Sequence, residues 1–447
     1  MTSERQAAGT AAGISGALLA GPWRRRDMVR RVAVALGQAR AQTWVGAMVG
    51  EVQTAYPRPP VDRPRELARF LRTTQGWARG QATIPPPRVV HWTQAPTALA
   101  WQRYPVADLP DQAAVARLLD VDAGELAWFA DSRGLERTVG EPLRHYRWRV
   151  VERPHGVRLL AAPKPRLKEA QRRVLRHVLA PIPVHDAAHG CVPGRSVRTA
   201  VAPHAGSPVL LRMDLEAFFA GIAAERVRGL LLGPAGLPEP VAHVITGLVT
   251  TVVPVEVWRG VAVPAAVADR ERHRRLGQRL AVPHLPQGAP TSPALANLVC
   301  FRLDRRLAGL AGAFGGRYTR YVDDLTFSGD RRLARDRFAE LVAEVVADEG
   351  FGVNPAKTSA TTAARRQQVL GAVVNVAPTL PRRERDALRA LLHNCATHGW
   401  AGQVRGHDPA RFRDHVLGRV AWAASLDPAF GARLAVLAAR IDWSGAA

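Results

Sequence analysis

Two adjacent aspartates, Asp323 and Asp324, interrupt a run that is otherwise core-like, with Tyr318 and Tyr321-Val322 before them and Leu325-Thr326-Phe327 after. Like charges side by side among β-branched and aromatic residues repel each other and lose hydration, so the pair is costly unless a cation is shared. An exposed turn would tolerate the two acids, but its flanks would not read as core on both sides. The pattern predicts a hairpin over Arg320 to Ser328 with the acids at its turn, one of them free to face a cleft. A third acid, Asp214, ends the run Val209-Leu-Leu-Arg-Met213, which reads as a buried strand. Capping a following helix is the other role open to it. Together the three carboxylates form a hard-oxygen site suited to two Mg2+ ions. Two such ions clamp the attacking and leaving oxygens of an in-line phosphoryl transfer.

Charge says what the site would act on. Sixty-two basic residues stand against 38 acidic ones, a net +24 that points to a polyanionic partner such as nucleic acid. All but three of the basic residues are arginines, and the lysines (Lys164, Lys168 and Lys357) all fall inside the motifs described below. A lysine kept among so many arginines suits a position that needs a compact, deprotonatable ammonium. At 447 residues and 47% hydrophobic, the chain can bury cores for two or three domains. Cys191, Cys300 and Cys395 are far apart and read as buried or free thiols. The apolar stretch Gly13 to Gly21 has its arginines after it, which makes a poor signal peptide, and Val241 to Val253 is too short to span a bilayer. A soluble, cytoplasmic protein with no membrane partner is expected.

Residues 1–60 alternate apolar and arginine-rich stretches, as in Arg30-Arg-Val-Ala-Val-Ala-Leu36, and read as helical. Pro57 to Pro64 and Pro85 to Pro87 act as linkers. Short helices are expected from Leu109 to Gly140, with Asp111 and Asp122 as N-caps. Strand alternation over Tyr146 to Leu160 predicts a hairpin turning at His155-Gly156. After Pro165 an amphipathic helix would bury Leu167, Ala170, Val174, Leu175 and Val178. Single helices are expected over Ser292 to Leu310 and Arg331 to Glu349, and a helical, basic stretch after Asn375. Leu285-Pro-Gln-Gly-Ala-Pro-Thr-Ser-Pro293 is a loop opening a helix, where glycine allows backbone to approach a sugar or base closely.

Five motifs in order carry a resemblance: Asp214-Leu-Glu-Ala-Phe-Phe219, Gln287-Gly-Ala-Pro-Thr-Ser-Pro293, Tyr321-Val-Asp-Asp324, Asn354-Pro-Ala-Lys357-Thr358 and Val369-Leu-Gly371. This array resembles the palm of a reverse transcriptase. Upstream, Arg158, Pro163-Lys-Pro-Arg-Leu-Lys168, Gln171 and His189-Gly-Cys-Val-Pro-Gly-Arg-Ser196 resemble the fingers of the bacterial retron type. The similarity runs from about Tyr146 to Asn375.

The resemblance implies an α+β, right-hand polymerase. Its parts would be an N-terminal helical extension (1–105), fingers (106–207), a palm with an antiparallel sheet packed on helices (208–375, with an insertion near 229–285) and a basic helical thumb (376–447). It implies that Asp214, Asp323 and Asp324, with Leu215, hold the metals. Phe219 would be the steric gate against a ribose 2′-hydroxyl, and Gln287 and Gly288 would shape the nucleotide pocket. Arg158 and Lys164 would meet the triphosphate, and Lys357 would donate a proton to pyrophosphate. Val369, Leu370 and Gly371, continuing to Asn375, would form the primer grip. Lys168, Arg195, His204, Arg382 and Arg383 would contact RNA.

The Gln-Gly-Ala-Pro-Thr-Ser-Pro loop has the retron form. Two positions depart from that pattern: Ala200 replaces an asparagine ahead of His204, and Leu370 replaces a threonine. The retron resemblance implies a structured non-coding RNA as both template and primer, dNTPs, an RNA–DNA hybrid product and an effector protein in anti-phage defence. Two other readings stay open. One is another bacterial reverse transcriptase, intron-like or defence-associated, primed by protein or needing no template. The other is a catalytically idle RNA-binding protein on the same fold.

Overall fold

The computed structural model describes residues 2–60, 64–92, 104–131, 133–153, 156–334 and 336–444. The chain opens with helices α1 (Thr2–Leu19), α2 (Arg25–Ala35), α3 (Thr43–Ala55), α4 (Pro64–Leu71) and α5 (Gln75–Gln81). Then come α6 (Gln112–Leu119), α7 (Ala123–Phe129), the strands β1 (Tyr146–Arg153) and β2 (Gly156–Pro163), and α8 (Pro165–Val174). The middle holds α9 (Val197–Val201), β3 (Val209–Asp214), α10 (Ala224–Leu232), α11 (Glu239–Val249), α12 (Val255–Arg259) and α13 (Val267–Leu280). It continues through α14 (Ser292–Val299), α15 (Phe301–Ala313), β4 (Arg317–Tyr321), β5 (Asp324–Gly329) and α16 (Asp336–Asp348). Short strands β6 (Ser359–Thr362), β7 (Gln368–Val369) and β8 (Ala372–Val373) precede α17 (Arg382–His398), α18 (Pro409–Leu426) and α19 (Pro428–Ala438).

These elements form two compact units: Met1–His185 with Leu215–Arg305 and Ala343–Val353, and Asp186–Asp214 with Arg306–Val342 and Asn354–Ala447. In the first, α1 to α5 enclose a core of their own around Ile14, Leu18, Met28, Val32, Val45, Met48 and Leu67. Each such side chain gains about 1.5–3 kcal/mol on full burial. Gly76 lets α5 close on α3, since a Cβ there would lie 2.4 Å from the Met48 nitrogen.

Asp111 caps α6, and Asp122 makes a reciprocal capping box with Glu125 on α7. β1 and β2 pair antiparallel from Tyr146↔Pro163 to Arg153↔Gly156. Residues 154–155, which include part of the expected turn at His155-Gly156, lie outside the described residues, as do 61–63 of the first proline linker. The helix after Pro165 departs from expectation at its end. A π-turn over Leu175–Leu179, closed by Ala180 N–H to the Leu175 carbonyl at 2.8 Å, shifts the phase, so that Leu179 rather than Leu175 is buried. The helix expected over Ser292 to Leu310 is likewise divided at Cys300 (φ −80, ψ 0). That expected over Arg331 to Glu349 begins as a 3-10 turn at Arg331–Ala334 ahead of α16.

In the second unit, β4, β5, β3 and β6 form one antiparallel sheet in that order. β3 is buried along nearly its whole length, because it lies inside the sheet with β5 on one side and β6 on the other. Helices α17 to α19 pack Leu388, Leu392, Phe412, Val416, Phe430 and Leu434 in one core with Leu210 and Val369. The architecture is α+β.

Candidate active site

Tyr321 pairs with Asp324, so β4 and β5 are joined by a two-residue turn, Val322-Asp323. Val322 sits at φ 59, where a β-branched residue is an outlier and glycine would be the ordinary choice. Holding it there stores about 1–3 kcal/mol, which the surroundings must over-determine. Two neighbours do so. The Arg320 side chain is fully buried, and its Nη1 donates to the Val322 carbonyl at 3.0 Å. Gly190 lies directly against the turn, where a Cβ would be 2.6 Å from the Val322 nitrogen. The segment carrying Gly190 runs parallel to β4: Arg320 N–H donates to the Ala187 carbonyl at 2.7 Å, and His189 N–H to the Arg320 carbonyl at 2.8 Å.

Asp214 ends β3 as the direct partner of Asp324. Cross-strand partners share a face of the sheet, and so do residues two apart on a strand, which puts Arg212 on that face as well. Arg212 Nη2 lies 3.9 Å from Asp324 Oδ1, and its Nη1 donates to the Gln368 carbonyl at 3.3 Å. Asp214 is no helix cap. Its Oδ1 accepts from Lys357 Nζ at 2.9 Å, and its carbonyl accepts from Asn354 N–H at 2.8 Å. Asn354 in turn caps the 3-10 turn Pro355–Lys357 through Ala356 N–H, which fixes where the lysine begins.

The acids strain one another electrostatically. Burial first, then the charge of Asp214, push the Asp323 carboxyl up to about 6, with Lys357 acting against them. Burial also raises Asp324, opposed by Arg212 and Lys357. A bound cation would relieve this, and oxygen donors suit a hard one. Among the described residues no three His, Cys, Asp or Glu side chains already converge as a closed ligand set.

In the first unit, Leu215 is buried and bridges Val353, and Phe218 packs on Phe351 with ring centroids 5.7 Å apart. Phe219 is half-buried, its ring 5.4 Å from that of Phe218. Gln287 accepts Ala161 N–H on its carbonyl at 2.8 Å. Gly288 has φ 131, and a Cβ would fall 2.9 Å from the Ala161 carbonyl oxygen, so glycine is required where this loop meets β2. Arg158 is exposed on β2, on the face opposite the buried Leu159 and Ala161. Lys164 Nζ donates to the carbonyls of Glu141 and Pro142 at 3.1 and 2.8 Å.

In the second unit, Leu370 and Gly371 form the β7–β8 turn with φ 48 and 85, the geometry of a tight hairpin in which both central residues are left-handed. Val369 is buried in the helical core. Lys168, on α8 of the first unit, and Arg382 and Arg383, on α17 of the second, are exposed, whereas Arg195 is tied to Asp186 and the Ala188 carbonyl. His204 corrects the expectation of an RNA contact. It is 0% exposed and bridges Ser328 Oγ (2.7 Å) and Thr319 Oγ1 (2.8 Å), which pins β4 to β5 and leaves no surface for a ligand.

Sequence reasoning missed Arg320, Gly190 and Arg212 as parts of this site. Arg212 carried a signal, since a charge two positions before Asp214 in a buried strand shares its face. Nothing in the one-dimensional pattern brings Gly190 to Val322.

The sequence that carries this site has a family match. Residues 151–374 fit the model of the reverse transcriptase (RNA-dependent DNA polymerase) family. The retron Mx65 reverse transcriptase of Myxococcus xanthus is 43% identical over 322 residues, covering 72% of this chain and 69% of that one. The retron Mx162 enzyme of the same organism is 38% identical, covering 65% of this chain and 59% of its own. The retron Ec86 enzyme of Escherichia coli is 28% identical, covering 56% and 69%. Nucleic acid is therefore the partner that the basic composition anticipated. The chain belongs to the bacterial retron-type reverse transcriptases and is an RNA-directed DNA polymerase.

Proposed function

We propose that the chain extends a primer on an RNA template by two-metal phosphoryl transfer at Asp214, Asp323 and Asp324. In this reading it copies part of its own structured non-coding RNA into single-stranded DNA joined to that RNA through a branch. One observation carries the catalytic part: Asp214 and Asp324 are cross-strand partners on one sheet face, with Asp323 in the strained turn beside them. Reverse transcriptases generally use divalent metal ions, and Asp214, Leu215, Asp323 and Asp324 are the residues that would hold two Mg2+. Bound there, the ions would neutralise charge on the attacking and leaving oxygens.

The chain's own residues do the remaining work. Lys357 holds a proton at Nζ next to Asp214 and would deliver it to the departing pyrophosphate. Phe219 would exclude a ribose 2′-hydroxyl, and the Gln287-Gly288 loop would lie along the incoming nucleotide. Arg158 and Lys164 would meet its phosphates. The Val369–Gly371 turn would hold the primer end, and Lys168, Arg195, Arg382 and Arg383 would lie along RNA.

The test is Asp323→Asn, which keeps shape and removes charge. It should abolish dNTP incorporation on an RNA template while leaving RNA affinity nearly intact. Expression with the neighbouring RNA gene should yield a short DNA covalently joined to RNA, and its absence would sink the retron product. The reading extends to anti-phage defence with an effector protein. Equal phage protection by the Asp323→Asn chain would favour an idle RNA-binding role instead.

A further inference from the structure

The loop Leu215–Phe219 is gripped from two directions by parts of the first unit that contain none of the catalytic motifs. The first grip is α13. Arg279 Nη1 donates to the Glu216 carbonyl at 3.1 Å, while Arg275 Nη2 and Arg272 Nε lie 3.5 and 3.9 Å from the Glu216 carboxylate. The helix is itself held by packing. Trp258 of α12 stacks on His273 at 4.5 Å, and Gly277 lets that indole in so closely that a Cβ would lie 2.9 Å from it. Leu280 shares a small core with Leu159 of β2, and Leu276 and Ala220, the residue after Phe219, pack against it.

The second grip comes from the N-terminal helices through the strap Val89–Trp92. Val89 packs against Gly13, and the N–H groups of Val90 and His91 both donate to the Ala35 carbonyl, at 2.8 and 3.0 Å. At its far end Trp92 covers Gly350, where a Cβ would be 2.3 Å from the tryptophan Cβ. The next residues complete the connection. Phe351 packs on Phe218 with the rings tilted, and the Gly352 carbonyl accepts Glu216 N–H at 2.7 Å. Within the loop, Ala217 is held at φ 49, a conformation that persists only under such constraint.

We propose that α13 and the strap Val89–Trp92 act as a brace that fixes the backbone of residues 215–219. Through it they set the pose of Phe219, so that sugar selection depends on residues outside the catalytic motifs. Arg272, Arg275, Arg279 and Trp92 are then positioning residues. The N-terminal helices contribute to nucleotide choice as the anchor of the strap. The inference rests on the assignment of Phe219 as the gate.

The experiment compares kcat/KM for a dNTP and the matching rNTP in single-nucleotide primer extension by the full chain on an RNA template. Phe219→Ala is the reference and should collapse the preference. Glu216→Gln, Arg279→Met and Trp92→Ala should each lower the preference about tenfold or more, the size expected when a contact surface moves by a fraction of an ångström. The change should appear as a higher KM for dNTP and a lower KM for rNTP, with Arg279→Lys restoring most of it. A purely supporting role would reduce thermal stability and leave the ratio unchanged, and that result overturns the brace. If Arg279→Met fails to fold, the near-isosteric Glu216→Gln decides in the same way. An unchanged ratio in Phe219→Ala would instead remove the gate assignment itself.

Discussion

Lys357 Nζ lies 2.9 Å from Asp214 Oδ1, an ion pair between residues 143 positions apart, with the lysine side chain 58% exposed and the aspartate side chain 9% exposed. The lysine is therefore open to solvent on one side and paired with the Asp214 carboxylate, the proposed metal ligand, on the other. Lys357→Met should slow single-nucleotide addition about 10²-fold, the typical worth of a positioned proton donor. Lys357→Arg should recover little, since a guanidinium does not give up its proton near neutral pH. Rapid-quench kinetics across pH provide the check, and a near-wild-type rate for Lys357→Met would remove the residue from the chemistry.

Gly190→Ala should disturb the Val322-Asp323 turn without touching an acid. The added methyl meets the Val322 backbone, which cannot swing away as a flexible side chain would. A cost of about 1–3 kcal/mol is expected for such overpacking. Urea denaturation should show the lowered stability, and primer extension should fall with it. Normal stability together with normal activity would contradict the contact.

Arg320→Met removes the donor under the Val322 carbonyl while keeping an unbranched chain in the buried slot. A displaced turn misplaces Asp323, so kcat should drop about 10²-fold, as expected when reacting groups shift by roughly an ångström. KM for dNTP should change much less. The opposite split would assign Arg320 to nucleotide binding.

Three of the buried histidines make folding sensitive to acid. Burial pushes His204 and His91 down to about 3 and His284 to about 4, from an ordinary 6.5. Each stays neutral in the fold but takes up a proton when unfolded, so its contribution is complete above pH 6.5 and is lost as pH falls toward the depressed values. Each should add a slope of about 1.4 kcal/mol per pH unit in that window. The melting temperature should therefore fall steeply from pH 6.5 to 4.5, and His204→Gln should flatten the curve. A flat wild-type profile would show that these rings are not enclosed.

Much of the local structure was legible because its signals are short-range. The mostly apolar run Val209 to Met213 and the apolar flanks of Asp323-Asp324 marked β3 and the β4–β5 hairpin, and Asp111 and Asp122 marked two helix starts. Periodicity failed where a hydrogen-bond pattern changed mid-helix. The π-turn at Leu175–Leu179 rotates the following residues, and no single residue type announces it. His204 was expected at RNA because the retron resemblance implies a contact there, and only the fold shows the hydroxyls of Thr319 and Ser328 on both sides of it.

By itself, the sequence determined the family, because acid pairs in apolar runs and glycine-proline loops are legible within a few positions. Tertiary structure decided what holds those residues in place. It paired Asp214 with Asp324 and Lys357, put Gly190 under Val322, brought α13 against the loop that carries Phe219, and laid the strap Val89–Trp92 on Gly350, whose next residues hold that loop. The reason is physical: close packing and buried charge depend on distances between segments many residues apart, which no local pattern encodes.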